Sequence, residues 1–211
     1  MRTNVYFDGF NFYFGAIRGT PYKWLNLLDL SRGLLRPDNE IGRIRYFTAR
    51  ISARRDDPGG PERQATYLRA LETLPDLTIH LGQFFTNEKT MPRADGHGFV
   101  RVLKREEKGS DVNLAAYLLV DAAADEYDTA LVVSNDSDLL TPIRLAQERF
   151  GKTIGVACPV FNDRHPNQQL VQQADFNVNI TRKRRRLLAA SLFPDPVVDA
   201  TGREISKPKS W

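Results

Sequence analysis

The chain has 211 residues, 41% hydrophobic and 27% charged, enough apolar content for one core of ordinary domain size with a modest tail. The single cysteine, Cys158, excludes an internal disulfide and any Cys-rich zinc site, and suits a reducing compartment. No window carries the roughly 18 apolar residues of a membrane span, and the N-terminus lacks the basic-then-apolar layout of a signal peptide, so a cytoplasmic protein with no membrane partner is expected.

In chain order, five segments read as strands: residues 4–7, 43–51, 77–85, 130–134 and 153–158. Helical patterns separate them. WLNLLDLSRGLL carries Leu25, Leu28 and Leu35 at helical spacing, and PERQATYLRALETL opens on Pro61 and repeats Ala65, Leu68 and Leu71. SDVNLAAYLLVDAAADEY predicts a largely buried helix over 111–127, with Val112, Ala115, Ala116, Leu119, Val120 and Ala123 as its apolar stripe, widened by Leu114 and Leu118. Residues 87–98 and 159–168 read as loops, either of which could meet a substrate.

Apolar strands alternating with helices indicate a mainly parallel sheet covered on both faces. In such folds, sites form beyond the carboxyl ends of the strands. Asp8 follows the first strand, with Asn11 one turn on; Asp136 and Asp138 follow the strand TALVVS; Asp111 opens the long helix. Taken singly, each reads as a cap: Asp111 with Ser110 for its helix, Thr141 before Pro142 for the next, Asp8 and Asn11 for a turn. Together they bring carboxylates from three chain segments to one sheet edge, where two such charges about 4 Å apart repel by roughly 4 kcal/mol. Hard divalent cations, Mg²⁺ or Mn²⁺, relieve that repulsion and can promote in-line displacement at phosphorus. Lys108 is a candidate for balancing the acids or holding a phosphate oxygen, and Ser134 for orienting Asp136 or touching phosphate. Asp121, Asp125 and Asp128 fall at or after the helix end, where exposure is expected. His80, His97 and His165 form no zinc pattern.

The net charge of +4 is local, since removing the five positive charges of RKRRR (Arg182, Lys183, Arg184, Arg185, Arg186) leaves −1. The run reads either as a solvated tail or as a patch for a nucleic-acid backbone.

The blocks VYFDGFNFYFG, KGSDVNLAAYLLVDAA and YDTALVVSNDSDLLTPI, in this order over roughly residues 3–180, resemble the signatures of the NYN domain, in the LabA-like or DUF88 branch of the PIN-like nuclease superfamily. The ending GREISKPKSW resembles a tail in part of that branch. The resemblance implies a PIN-like three-layer α/β/α sandwich and a ribonuclease whose acids Asp8, Asp111, Asp136 and Asp138 bind Mg²⁺ or Mn²⁺, with Asn11 positioning ligand or substrate. Asn135 stands where glycine is frequent and Leu139 where phenylalanine is. A nuclease domain over 1–181 and a basic run with an extended tail over 182–211 are expected, with single-stranded RNA as partner and homo-oligomer formation open. Two alternatives stand beside it: an RNA-binding adaptor with the same fold and little catalysis, and, well behind, an aspartate-based phosphatase or receiver, which would place its acidic pair at the first strand.

Overall fold

The strand predicted at the N-terminus extends over Arg2–Asp8 (β1) and is buried from Thr3 onward. In this computed structural model, which describes residues 1–160, 165–180 and 185–211, the chain continues without a break into a short helix, Gly9–Phe12 (α1), and a π-helical turn, Tyr13–Ile17. There follow α2 (Leu27–Leu34), β2 (Glu40–Ala49), α3 (Gly60–Leu71), β3 (Leu77–Pro92), β4 (Phe99–Lys108), α4 (Ser110–Ala123), β5 (Thr129–Val133), a 3₁₀ turn at Ser137–Leu139, α5 (Leu140–Phe150) and β6 (Thr153–Pro159). The chain closes with α6 (Gln168–Gln173), β7 (Phe176–Ile180), α7 (Arg185–Ala190) and a small hairpin, β8 (Val197–Val198) with β9 (Glu204–Ile205).

The sheet order is β4-β3-β2-β1-β5-β6-β7, parallel throughout except for the antiparallel β3–β4 pair. From β1 the chain builds outward through β2 and β3, then returns to the other side of β1 with β5, so the reversal of strand order lies between β1 and β5. That is where an open α/β sheet leaves a crevice at its carboxyl edge.

Alternation along the strands feeds two cores. Val5, Phe7, Ile44, Leu131 and Val133 face α2 and α3, while Tyr6, Phe47, Ala130, Val132 and Val156 face α4 and α5. The fold is thus a PIN-like α/β/α sandwich around a mainly parallel sheet. The segment read as an extended tail joins the first core through Leu188, Phe193, Val197 and Ile205. Trp24 anchors it: its ring meets those of Phe193 and Trp211 at 5.7 and 6.4 Å, and its indole N–H donates to the Pro194 carbonyl at 3.2 Å.

Three expectations are corrected. Of residues 87–98, expected as a loop, only 93–98 form one, because β3 runs on to Pro92 and pairs with β4 over ten registered positions. Beyond Gly82, the last residue of β3 paired with β2, this hairpin rises past the carboxyl edge of the parallel sheet. Its side chains are exposed or at most half-buried, so hydrophobic periodicity had little to report there. The long helix ends at Ala123, and its buried stripe is Leu114, Leu118, Asp121 and Ala122, with Val112 and Val120 exposed.

The third correction is Asp121, which is 2% exposed. Arg45 of β2 donates to both of its oxygens at 2.7 Å, and the Tyr6 hydroxyl adds a third bond at 2.7 Å. The guanidinium lies 4.4 Å from the Tyr117 ring centre and 3.2 Å from His80 Nε2. Because Arg only donates, Nε2 must accept, which places the His80 proton on Nδ1. Burial and the neighbouring Arg45 push the His80 pKa down to about 4 from 6.5. A depressed histidine keeps its contribution to stability above the free value and loses it as pH falls from about 6.5 to about 4. His80→Phe, which preserves stacking on Phe47, should therefore flatten the acid limb of the melting temperature over that window; an unchanged limb would remove His80 as its cause.

Candidate acidic active site

Asp8 ends β1 and opens α1, and both roles are visible in its bonds. One carboxylate oxygen accepts from the Asn11 backbone N–H at 2.9 Å, as a helix cap does, and the other accepts from the Ser134 hydroxyl at 2.9 Å. Asp8 is only 3% exposed. Burial first, then the charges of Asp111 and Asp136, raise its pKa to about 6 against those two bonds. Gly9 is required here by close approach: a Cβ would sit 2.7 Å from the Phe47 carbonyl and 2.8 Å from the Tyr46 ring. What crowds Gly9 is β2, which pairs with β1 opposite Asp8.

Asp136 follows β5, and its side chain accepts from the Asp138 N–H at 3.0 Å, capping the 3₁₀ turn that leads into α5. Thr141, expected as the cap of the following helix, lies inside α5, whose N-cap residue Leu139 makes no side-chain cap bond. Ser134 is fully buried beneath the cleft, where its hydroxyl also accepts from the Asp136 N–H at 3.1 Å. Of its two expected roles, orienting the acids is the one this position supports.

Asn11 accepts the Asn135 N–H on its side-chain oxygen at 3.2 Å, and Asn135 in turn accepts the Asn167 N–H at 2.7 Å. Asn135, the departure from the usual glycine, therefore ties the acidic turn to the segment before α6.

Asp111 arrives from the other side of the sheet. The β3–β4 hairpin returns the chain to the carboxyl edge at Gly109 (φ 104°), and α4 starts there. Glu107 accepts the Ser110 N–H and hydroxyl at 3.2 and 2.7 Å, fixing that start. Partial desolvation, then Asp136, Glu107 and Asp138, raise the Asp111 pKa.

Asp8, Asn11, Asp111, Asp136 and Glu107 line one cleft of about 880 Å³. Asp138 is exposed beside it and Lys108 is exposed at the end of β4, neither lining the cleft. Arg185 and Arg186 are exposed on α7 and also do not line it, while Arg182, Lys183 and Arg184 fall outside the described residues. Glu107 was missed by sequence reading; its position three residues before Ser110, at the head of the KGSD block, was the available signal. Also missed were Arg18, Arg54, Arg63 and Arg105, which are scattered along the chain and share this cleft only in the fold.

Among the described residues, none of Asp8, Asp111, Asp136, Asp138 and Glu107 is paired with a cation. Nor, among those residues, do three or more His, Cys, Asp or Glu close into a set that could hold a metal directly. The donor chemistry nevertheless fits a hard cation such as Mg²⁺, which keeps several waters and needs only one or two carboxylates.

A family model for the NYN domain matches residues 2–180. The chain belongs to the NYN domain family. Nuclease chemistry with divalent metals is the general expectation for this PIN-like group. The NYN chain is also 33% identical, over 246 aligned residues covering 100% of it and 75% of the relative, to a Pseudomonas putida protein named 6-hydroxy-3-succinoylpyridine 3-monooxygenase. Among solved structures, a protein of unknown function from Vibrio parahaemolyticus superposes with a TM-score of 0.54 at 17% identity, covering 85% of this chain and 92% of that one, a likeness of fold alone. Among the described residues, no helix is long and apolar enough to cross a membrane.

Proposed function

We propose that the cleft is a metal-dependent ribonuclease centre that hydrolyses RNA phosphodiester bonds endonucleolytically, in the cytoplasm. The observation that carries this is the meeting of Asp8, Asp111 and Asp136, from three separate elements, with none of them in a salt bridge among the described residues. These three would hold Mg²⁺ or Mn²⁺, in part through waters that such an ion keeps, with Asp138 supporting. When bound, such an ion supplies charge neutralisation at the phosphate and a water of lowered pKa. The chain's own part is positioning. Asn11 N–H and the Ser134 hydroxyl each engage one Asp8 oxygen and leave each a further lone pair. Asn11, its oxygen committed to Asn135, keeps its amide N–H₂ for a phosphate oxygen.

Labelled single-stranded RNA of mixed sequence, incubated with Mg²⁺ or Mn²⁺, should be cut by the wild-type chain and not by Asp136→Asn. No cutting with either ion, or equal cutting by the variant, sinks the reading. RNA bound without cutting would favour the adaptor.

The name of the 33%-identical relative favours a second reading, hydroxylation of a small aromatic acid. A cleft of this size with aromatic walls suits such a molecule. Oxygen uptake on adding 6-hydroxy-3-succinoylpyridine with an external reductant, in a preparation that leaves RNA intact, would establish it over the first.

A further inference from the structure

The wall of the cleft beside the acids carries a file of rings and guanidinium groups that the acidic chemistry does not use. Arg105 lies 4.3 Å over the Phe84 ring, Phe84 meets Phe10 edge-on at 5.7 Å, Phe10 stacks on Phe14 at 6.5 Å and 18°, and Arg18 sits 5.5 Å over Phe14. Phe10 is the neighbour of Asn11, so the file begins next to the carboxylates. Phe14 is 52% exposed and Tyr13 37%. Both stand on the π-helical turn Tyr13–Ile17, and such turns occur often at functional sites.

Charge separates the arginines of the cleft into two kinds. Arg54 and Arg63 are paired with Asp56 and Asp57. Arg18 and Arg105, among the described residues, have no carboxylate partner, and Arg105 is held in place by a 2.9 Å bond to the Ser52 hydroxyl as well as by Phe84. Exposed ring faces interleaved with unpaired, pre-oriented guanidinium groups match a ligand that alternates flat rings with anions.

Resting on the reading that the cleft acts on RNA, we infer that this wall is the subsite for a single strand: Phe14 and Tyr13 take a base by stacking, and Arg18 and Arg105 take the phosphates that flank it. It supplies, inside the cleft, the backbone binding that the RKRRR run suggested elsewhere. A base can reach Phe14 only when unstacked from its neighbours, so the subsite selects single strands over duplex.

The test is binding without catalysis. Fluorescence anisotropy of the full chain in EDTA, with a fluorescein-labelled RNA of roughly 12 nucleotides, is measured at several salt concentrations, single-stranded and as a duplex. Tyr13→Ala with Phe14→Ala should weaken single-strand binding about tenfold while leaving the salt slope unchanged. Arg18→Gln with Arg105→Gln should flatten that slope by about 1.4, at about 0.7 per phosphate contact for single strands. Phe14→Leu, which keeps apolar bulk without the ring face, should behave as the alanine variant does. Unchanged affinity and slope in these variants, or duplex bound as tightly as single strand, overturns the subsite. The two readings fail separately. Loss of binding in the variants of a chain that cuts no RNA leaves the subsite standing and removes the nuclease. Cutting by a chain whose variants bind normally does the reverse.

Discussion

Asp8→Asn should melt at a higher temperature than the wild-type chain at pH 8 in EDTA while losing RNA cleavage. Asp8 is nearly fully buried and its pKa rises from 3.8 to about 6, which corresponds to about 3 kcal/mol of destabilisation once the group is ionised. The sign follows from the two pKa values. Below about 3.8 the group is protonated folded or unfolded and costs nothing; between 3.8 and about 6 the unfolded chain ionises first; above 6 the full penalty applies. The gap between variant and wild type should therefore open over that interval and then stay level. An amide fits the site, since its oxygen can accept from the Asn11 N–H and its N–H₂ can donate to the Ser134 hydroxyl. For a chain of this size the gain would be about 2–4 °C per kcal/mol. Adding Mg²⁺ should raise the wild-type melting temperature and leave Asp8→Asn nearly unmoved, because an ion stabilises only the state that binds it. A variant less stable than wild type at pH 8 would mean that the Asp8 charge is already satisfied in the metal-free fold.

The setting of Asp8 was legible in the sequence. Asp8, Asp111 and Asp136 follow or precede elements with strong apolar runs, and a parallel sheet dictates that such positions share one edge. Burial on both faces made β1, β5 and β6 conspicuous. β7 and the β3–β4 hairpin were harder to read: β7 is only five residues long, with Phe176, Val178 and Ile180 turned to the first core and polar Asn177 between them, and the hairpin carries polar and apolar residues that are exposed or at most half-buried, so no fully buried side imposes a period there. Glu107 lies on that hairpin and shared its obscurity. The arginines of the cleft come from the end of the π-helical turn, from α3 and its approach, and from β4, and only the wrapping of these segments around the crevice brings them together. Asp121 failed differently. A carboxylate near the end of an amphipathic helix is ordinarily solvated, and nothing local signals that Arg45, 76 residues earlier, lies opposite it.

Asp121→Ala should be among the most destabilising single changes in the molecule. It leaves the Arg45 guanidinium, 6% exposed, without the carboxylate that accepts two of its bonds, and strands the Tyr6 hydroxyl as well. Breaking a buried pair by removing one member costs about 3–5 kcal/mol, which for a chain of this size is a fall of roughly 10 °C in melting temperature. The remedy separates charge from shape: Arg45→Met with Asp121→Leu and Tyr6→Phe removes the two groups that Asp121 partnered, at the smaller cost of the donor to His80 Nε2, and should recover most of the loss. A triple variant as unstable as Asp121→Ala would show that packing geometry, not the stranded charge, carries the cost. The same pair tests whether the α4 anchor and the active site are independent. Asp121 is ten residues along α4 from Asp111, about 15 Å at helical rise, and the start of α4 is held separately by Glu107 on Ser110. Cleavage by Asp121→Ala, assayed well below its melting point, should then match wild type, whereas Glu107→Ala, which frees the helix start while leaving the core intact, should lower cleavage with little change in melting temperature.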